Sequence, residues 1–140
     1  MSTSVTAGHA GTSSASSVGI LVGRILLSMM FILAGYSKLT AISATAGWFG
    51  SIGLPVPTVT TVVVGLVELI GGLAILIGFQ TRLAALVLAA FTVAATLIAH
   101  MDWSDMTQFL MFQKNFAIAG GFLVLAAVGA GAISIDARRG

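Results

Sequence analysis

The stretch VGLVELIGGLAILIGF, residues 64–79, contains sixteen residues that are all apolar or glycine except Glu68. Taken with the residues before it, the run extends from Thr58 to Phe79. That meets the requirement of about 20 apolar residues for a helix crossing the hydrocarbon core of a bilayer. A carboxylate facing lipid there would cost several kcal/mol, so Glu68 must point into a protein interior.

Working outward, three more runs of the same kind appear: Val18 to Leu39, Leu83 to Met101 and Phe116 to Ile135. Hydrophobic residues make up 58% of the 140 residues and charged ones 7%, against roughly 25% charged in an ordinary soluble domain. The runs are continuous, not alternating, which excludes a transmembrane β-barrel. The expected fold is all-α: one integral membrane four-helix bundle over residues 18–136, since no remaining segment is long enough for a second core. Residues 1–17 are Ser/Thr/Gly/Ala-rich without Lys or Arg, which predicts a disordered tail containing His9. Residues 137–140 form a short basic tail. The first run is long enough to span and carries charge at both ends, which argues against a cleaved signal peptide.

An even number of spans puts both termini on one side. Arg24, Arg82, Arg138 and Arg139 lie on that side, against Lys38 and Lys114 opposite, so the termini are expected in the cytoplasm. The net charge of +2 reflects this bias, and the Arg138–Arg139 pair is too small a patch for a nucleic-acid partner. With no cysteine, thiol redox chemistry, iron–sulfur ligation and covalent c-type haem are excluded within the chain. His9 and His100 are the two histidines, too few for a histidine-rich metal site, so no metal is expected.

On its helix, Glu68 shares a face with Thr61, Gly65, Gly71 and Gly72, a strip that admits close approach by another helix. Arg24, Ser28, Phe31, Gly35 and Lys38 line one face of the first span. Thr92, Thr96 and His100 recur at i, i+4, i+8 on the third. By rise per residue, Arg24 lies about 9 Å deeper than Glu68, within combined side-chain reach. Arg24 is therefore the expected partner of Glu68 from below, with Lys38, His100 and Asn115 forming a polar cup above. Each residue also has a plainer reading. Glu68 alone can be a hydrogen bond between helices, Lys38 and Lys114 can be headgroup anchors, and His100 can be a satisfied helix-end residue beside Asp102. Gly47 to Pro57 suits an interfacial half-helix over the outer mouth, and MDWSDMTQFLMF, residues 101–112, a similar segment with Trp103 in the aromatic belt.

The series GRILLSMMFILAGYSKL, GLPVP, VELIGGLAILIGFQTRLAAL, AHMDW, FQKNFAIAGGFLVL and GAGAISID resembles the DoxX family of small bacterial membrane proteins. The resemblance implies a four-helix inner-membrane fold and membership of a group linked to membrane redox processes. It implies recurrent polar positions at Arg24, Lys38, Glu68, Arg82, His100, Asn115 and Asp136. GAGAISID lacks the aromatic common in that motif.

The combined expectation is a redox-associated subunit in the bacterial cytoplasmic (inner) membrane, meeting a quinone or a small oxidisable solute at an intramembrane polar site. Glu68 and His100 would be its acid–base groups, and Arg24, Lys38 and Asn115 its ligand-binding groups. No nucleotide loop or metal cluster is visible, so an enzyme acting alone would need a diffusible cofactor such as quinone. A small-molecule transporter or exporter is the first alternative. A scaffold recruiting redox or stress enzymes is the second. The bilayer is the one obligatory partner, and a redox partner protein and self-association are both compatible with the sequence.

Overall fold

The computed structural model describes residues 13–139, which form six helices and no strand. Helix α1 (Ser14–Thr40) is followed by the short α2 (Ile42–Ser51), then by α3 (Pro57–Ile77), α4 (Thr81–Ala99), α5 (Met106–Val128) and the short α6 (Ile135–Arg139). Among these, α1, α3, α4 and α5 are long and apolar enough to span a membrane, which is the expected all-α bundle. Residues 1–12, with His9, lie outside the described residues, and so does the disorder expected there. Residues 14–17 of the expected tail belong to α1, whose first turn is closed by Ser13 accepting from the Ser16 N–H at 3.0 Å.

Helix ends follow local capping chemistry. Pro57 occupies the first turn of α3, where a missing N–H is harmless. At the other end Gly78 (φ 71°) takes the left-handed conformation, and the Phe79 N–H reaches back to the Ala74 carbonyl at 2.9 Å. The last span departs from the expected Phe116–Ile135. It starts ten residues earlier because Asp105 caps the Thr107 N–H at 2.9 Å. It stops at Val128 because Gly129 (φ 85°) and Gly131 (φ 79°) turn the chain away. Most of the expected second interfacial segment is thus the first turns of α5. The first is a genuine short helix, but α2 starts five residues before Gly47 and ends at Ser51. The basic tail is largely α6, with the Arg139 guanidinium 5.2 Å from the Phe79 ring centroid.

Packing sorts the long helices into two pairs, α1 with α3 and α4 with α5, while α2 lies against α3. Glycine sets the first pair: a Cβ on Gly35 would fall 2.6 Å from the Leu69 backbone nitrogen, and one on Gly72 would fall 3.0 Å from that of Ile32. Gly71 points the other way, toward Leu88 of α4. The core between the pairs is Phe31, Ile75, Leu88 and Phe122, with Phe31 and Phe122 edge to face at 5.3 Å. Large aliphatic side chains such as Leu26, Ile70, Leu83 and Val124 point outward. The buried set is instead rich in hydroxyls whose protons go to their own helix, as Thr61 does to Pro57 and Thr96 to Thr92. This distribution is that of a chain solvated by hydrocarbon.

Candidate functional site in the bundle

A cavity of about 460 Å³ lies toward the Lys38 end, bordered by α1, α2, α3, α4 and α5. Its walls are mostly apolar, and its polar groups are few: Lys38, Thr60, Glu68, Thr92, His100, Lys114 and Asn115, with the Trp48 indole. Small faces of the surrounding helices create the space, since Ala34 precedes Lys38 by one turn and Ala95 and Ala99 line α4.

Glu68 sits at the centre of α3, and its partner comes from above. Lys38, in the last turn of α1, places Nζ 2.8 Å from Glu68 Oε1. The Glu68 side chain is 9% exposed and that of Lys38 22%, so the carboxylate is the sequestered member and the ammonium the reachable one. A cation at the C-terminal end of α1 is also favoured by the helix dipole. His100 follows the last residue of α4, and its Nδ1 is buried with no hydrogen-bond partner among the described residues. The expected neighbour Asp102 is engaged elsewhere, accepting from the Ser104 N–H and hydroxyl. Thr92 lines the cavity with its proton already given to the Leu88 carbonyl at 2.6 Å.

The expected pairing of Arg24 with Glu68 is not what the structure shows. Arg24 is buried, and its guanidinium donates to the carbonyls of Ile75 (2.9 Å), Leu76 (2.8 Å), Ala130 (2.9 Å) and Ile133 (2.7 Å). The reason lies in helix chemistry: the last carbonyls of α3 have no intrahelical donor, and a planar fork satisfies several at once. Arg24 does not border the cavity that holds Glu68. The same end is tied by Arg82, which donates to the Ala126 and Ala127 carbonyls at 3.0 and 2.7 Å. Asp136 closes it: its N–H meets the Gly78 carbonyl at 2.8 Å, and its carboxylate accepts from the Gln80 and Thr81 N–H groups at 2.7 and 2.9 Å. Burial pushes the Asp136 carboxyl upward, but these hydrogen bonds and nearby Arg139 outweigh it and hold the group below the usual carboxylate range.

A DoxX profile matches residues 19–101. The chain belongs to the DoxX family. Among relatives, the inner membrane protein YqjF of Escherichia coli (strain K12) is 44% identical over 119 residues, 85% of this chain and 90% of that protein. The inner membrane protein YphA of the same organism is 34% identical over 125 residues, 85% of this chain and 89% of its own. CatD of Bacillus subtilis (strain 168), provisionally named an oxidoreductase, is 32% identical over 84 residues, 60% of this chain and 61% of its own. No solved structure matches the chain.

For this DoxX protein the matched segment runs from α1 through the end of α4, so it contains Lys38, Glu68 and His100 but not Lys114, Asn115 or Asp136. The polar positions implied by the resemblance divide into two groups. Lys38, Glu68, His100 and Asn115 border the cavity, whereas Arg24, Arg82 and Asp136 tie the opposite end. Despite lacking an aromatic, GAGAISID makes its contacts through Asp136 and the carbonyls of Ala130 and Ile133. Sequence reasoning did not single out Val64, Phe91 and Met111 as lining residues. A helical-turn signal was available, because Val64 precedes Glu68 and Met111 precedes Asn115 by four residues. Trp48 and Phe49 of α2 line the cavity, whereas Trp103 packs on Phe109 and Phe112.

Proposed function

We propose that this DoxX protein is a redox-associated subunit of a bacterial inner membrane whose cavity binds a quinone or a small oxidisable solute. The observation that carries this reading is an apolar cavity with an ion pair and the unpartnered His100 Nδ1 on its wall. A purely structural ion pair needs no adjoining space, and ligand sites combine apolar walls with a few convergent polar groups. The residues suit a quinone: Phe31, Phe49 and Phe91 offer ring faces, and Lys38, Lys114 and Asn115 carry N–H groups that can donate to carbonyl oxygens. A quinone would supply electron-accepting capacity. The chain itself would orient the head group through Lys38 and Asn115, hold a proton at Glu68 or His100, and keep water out beneath α2.

The names of YqjF and YphA support an inner-membrane location, and that of CatD supports an oxidoreductase context. Mass spectrometry of quinones and lipids released from protein purified in mild detergent tests the ligand. A quinone retained by the parent and lost on Ala95→Leu, which fills the cavity, is the expected result. Lipid alone in both, with no thermal shift from added short-chain quinone, counts against the reading. Both termini are assigned to the cytoplasm on the Lys/Arg distribution. Cysteine at position 139 should resist an impermeant thiol reagent in intact cells while cysteine at 50 or 104 reacts, and the reverse pattern inverts the topology.

One feature favours the exporter as a second reading. A groove of about 850 Å³ runs along the seam of α1 and α5 at the opposite end, lined by Gly19, Gly23, Leu27 and Gly121. With the cavity it gives one space toward each end of the bundle, an arrangement that alternating access could use. Solute flux in proteoliposomes without any associated electron transfer would select that reading.

A further inference from the structure

We propose that the cavity accepts a lipid-soluble weak acid, an acidic O–H carried on an apolar body, and that the acid passes its proton to Glu68 while its anion replaces Glu68 on Lys38. This rests on the preceding reading that the cavity is a ligand site, and it adds the class of ligand and the role of the ion pair.

The argument begins with charge. Lys38 and Glu68 form a neutral pair in a cavity walled by side chains such as Met30, Phe31, Val64 and Phe91. Lys114, the other cation on the wall, is exposed, so in surroundings of low dielectric a permanently charged anion added to the sequestered pair would leave one charge unbalanced there, at a penalty far larger than in water. An undissociated acid brings none. Once inside, its O–H bond breaks, the electron pair stays on the ligand oxygen, and the proton forms an O–H on Glu68. One ammonium, one anion and one neutral acid are present before and after, so no other reactant is needed.

Exposure fixes which partner changes hands. Lys38 is the more exposed member of the pair, so an incoming head group reaches the ammonium. Glu68 stays on α3 among the close-packed Gly65 and Gly72. Access from the bilayer fits as well. Helices α1 and α5 both border the cavity yet touch far more sparsely than α1 with α3 or α4 with α5, and a neutral acid crosses hydrocarbon as its anion does not. The other charged or titratable groups on the cavity are His100 at the end of α4 and Lys114 on α5, and α2 contributes none. Either could serve instead, His100 by taking the proton or Lys114 by balancing the anion, and variants separate these cases.

Octanoate is the probe, titrated calorimetrically into the full chain in phosphatidylcholine nanodiscs at neutral pH, in two buffers of different ionisation enthalpy. Because the free probe is ionised there, the exchange requires uptake of about one proton per octanoate bound. Glu68→Gln should still bind and take up none. Lys38→Met should weaken binding at least about tenfold, since the ligand anion loses its counter-ion. His100→Gln and Lys114→Gln should leave the proton count unchanged. If Glu68→Gln does not yield monodisperse protein, infrared difference spectra of the parent with carbon-13-labelled octanoate should show a new protonated-carboxyl band at the unlabelled position. The proposal is overturned by absence of saturable binding, by zero proton uptake in the parent, by uptake that survives Glu68→Gln, by its loss in His100→Gln or Lys114→Gln, or by a protonated band on the labelled carbon. Quinone retention with no octanoate binding would sink this inference and leave the reading of the cavity standing.

Discussion

Two buried charges, Arg24 at one end of the bundle and the mid-helix Glu68 that reaches toward the other, are treated in opposite ways. At one end Arg24 is surrounded by acceptors, with four backbone carbonyls within 2.9 Å. At the other, Glu68 has Lys38, while a cavity and the unpartnered Nδ1 of His100 lie alongside. A charge whose bonding capacity is consumed by backbone is a structural tie. A charge held by one exchangeable side chain beside open space is available for chemistry.

The largest expected effect is at the tie. Arg24→Leu removes the side-chain donor from the carbonyls of Leu76, Ala130 and Ile133 and leaves Ile75 only the Gly78 N–H at 3.3 Å, and should destabilise the protein by about 3 kcal/mol or more. Reversible unfolding in detergent or thermal melting would measure it. Combined with Glu68→Gln, the effect should be additive within about 0.5 kcal/mol, because the two groups share no partner. Clear non-additivity would rejoin the two ends.

That expectation replaces the Arg24–Glu68 pair predicted from sequence, and the reason shows what a sequence carries. Helical periodicity placed Arg24, Ser28, Phe31 and Gly35 on one inward face, and all four are buried. Depth and side-chain length could not choose between a carboxylate and a ring of helix-end carbonyls, because the carbonyls become acceptors only once α3 stops at Gly78 and residues 130–133 fold back. Four spans were legible because hydropathy alone marks them. The start of α5 was not, since Gln113, Lys114 and Asn115 look like a boundary while the Asp105 cap lies well before them. At the site, Lys38, His100 and Asn115 were legible as a polar cup above Glu68, but the void between them belongs to packing.

Next in size is the α1–α3 contact on which the site is built. Gly35→Ala places a methyl 2.6 Å from the Leu69 nitrogen and 2.7 Å from the Gly65 carbonyl, both backbone atoms. The helices must separate, at about 1–3 kcal/mol, and the same melting assay should register it. Gly19→Ala, with nothing nearby, should change little.

Asp136→Asn follows. It weakens the cap on α4 and should cost about 0.5–2 kcal/mol at neutral pH. The sign with pH follows from a carboxyl held below its ordinary range in the folded protein. Its contribution is full above the unfolded value of about 3.9 and is lost as pH falls through the lower folded value. Acid melts of the parent should therefore lose a component that Asp136→Asn lacks. Identical acid limbs would show that the cap carries no charge-dependent stability.

The smallest stability effect is expected at Glu68→Gln, within about 1 kcal/mol, because Gln retains the shape and Lys38 can extend from its partly exposed position. Its effect on function should be the largest: normal abundance with failure to complement a deletion strain under oxidant or sulfur stress. Full complementation would make Glu68 a tie like Arg24 and erase the contrast between the ends.

The Arg24 clamp also bears on how the chain is made. Its acceptors lie 51 to 109 residues further along, so during synthesis α1 must enter the membrane with its guanidinium unanswered. Arg24 is the seventh residue of the apolar run that starts at Val18, from where its long side chain can reach the interface in the meantime. The clamp is thus complete only once α3 has ended and the segment after α5 has been translated. A chain stopped before Ala130 would have two of the four acceptors missing and half of the clamp unmade.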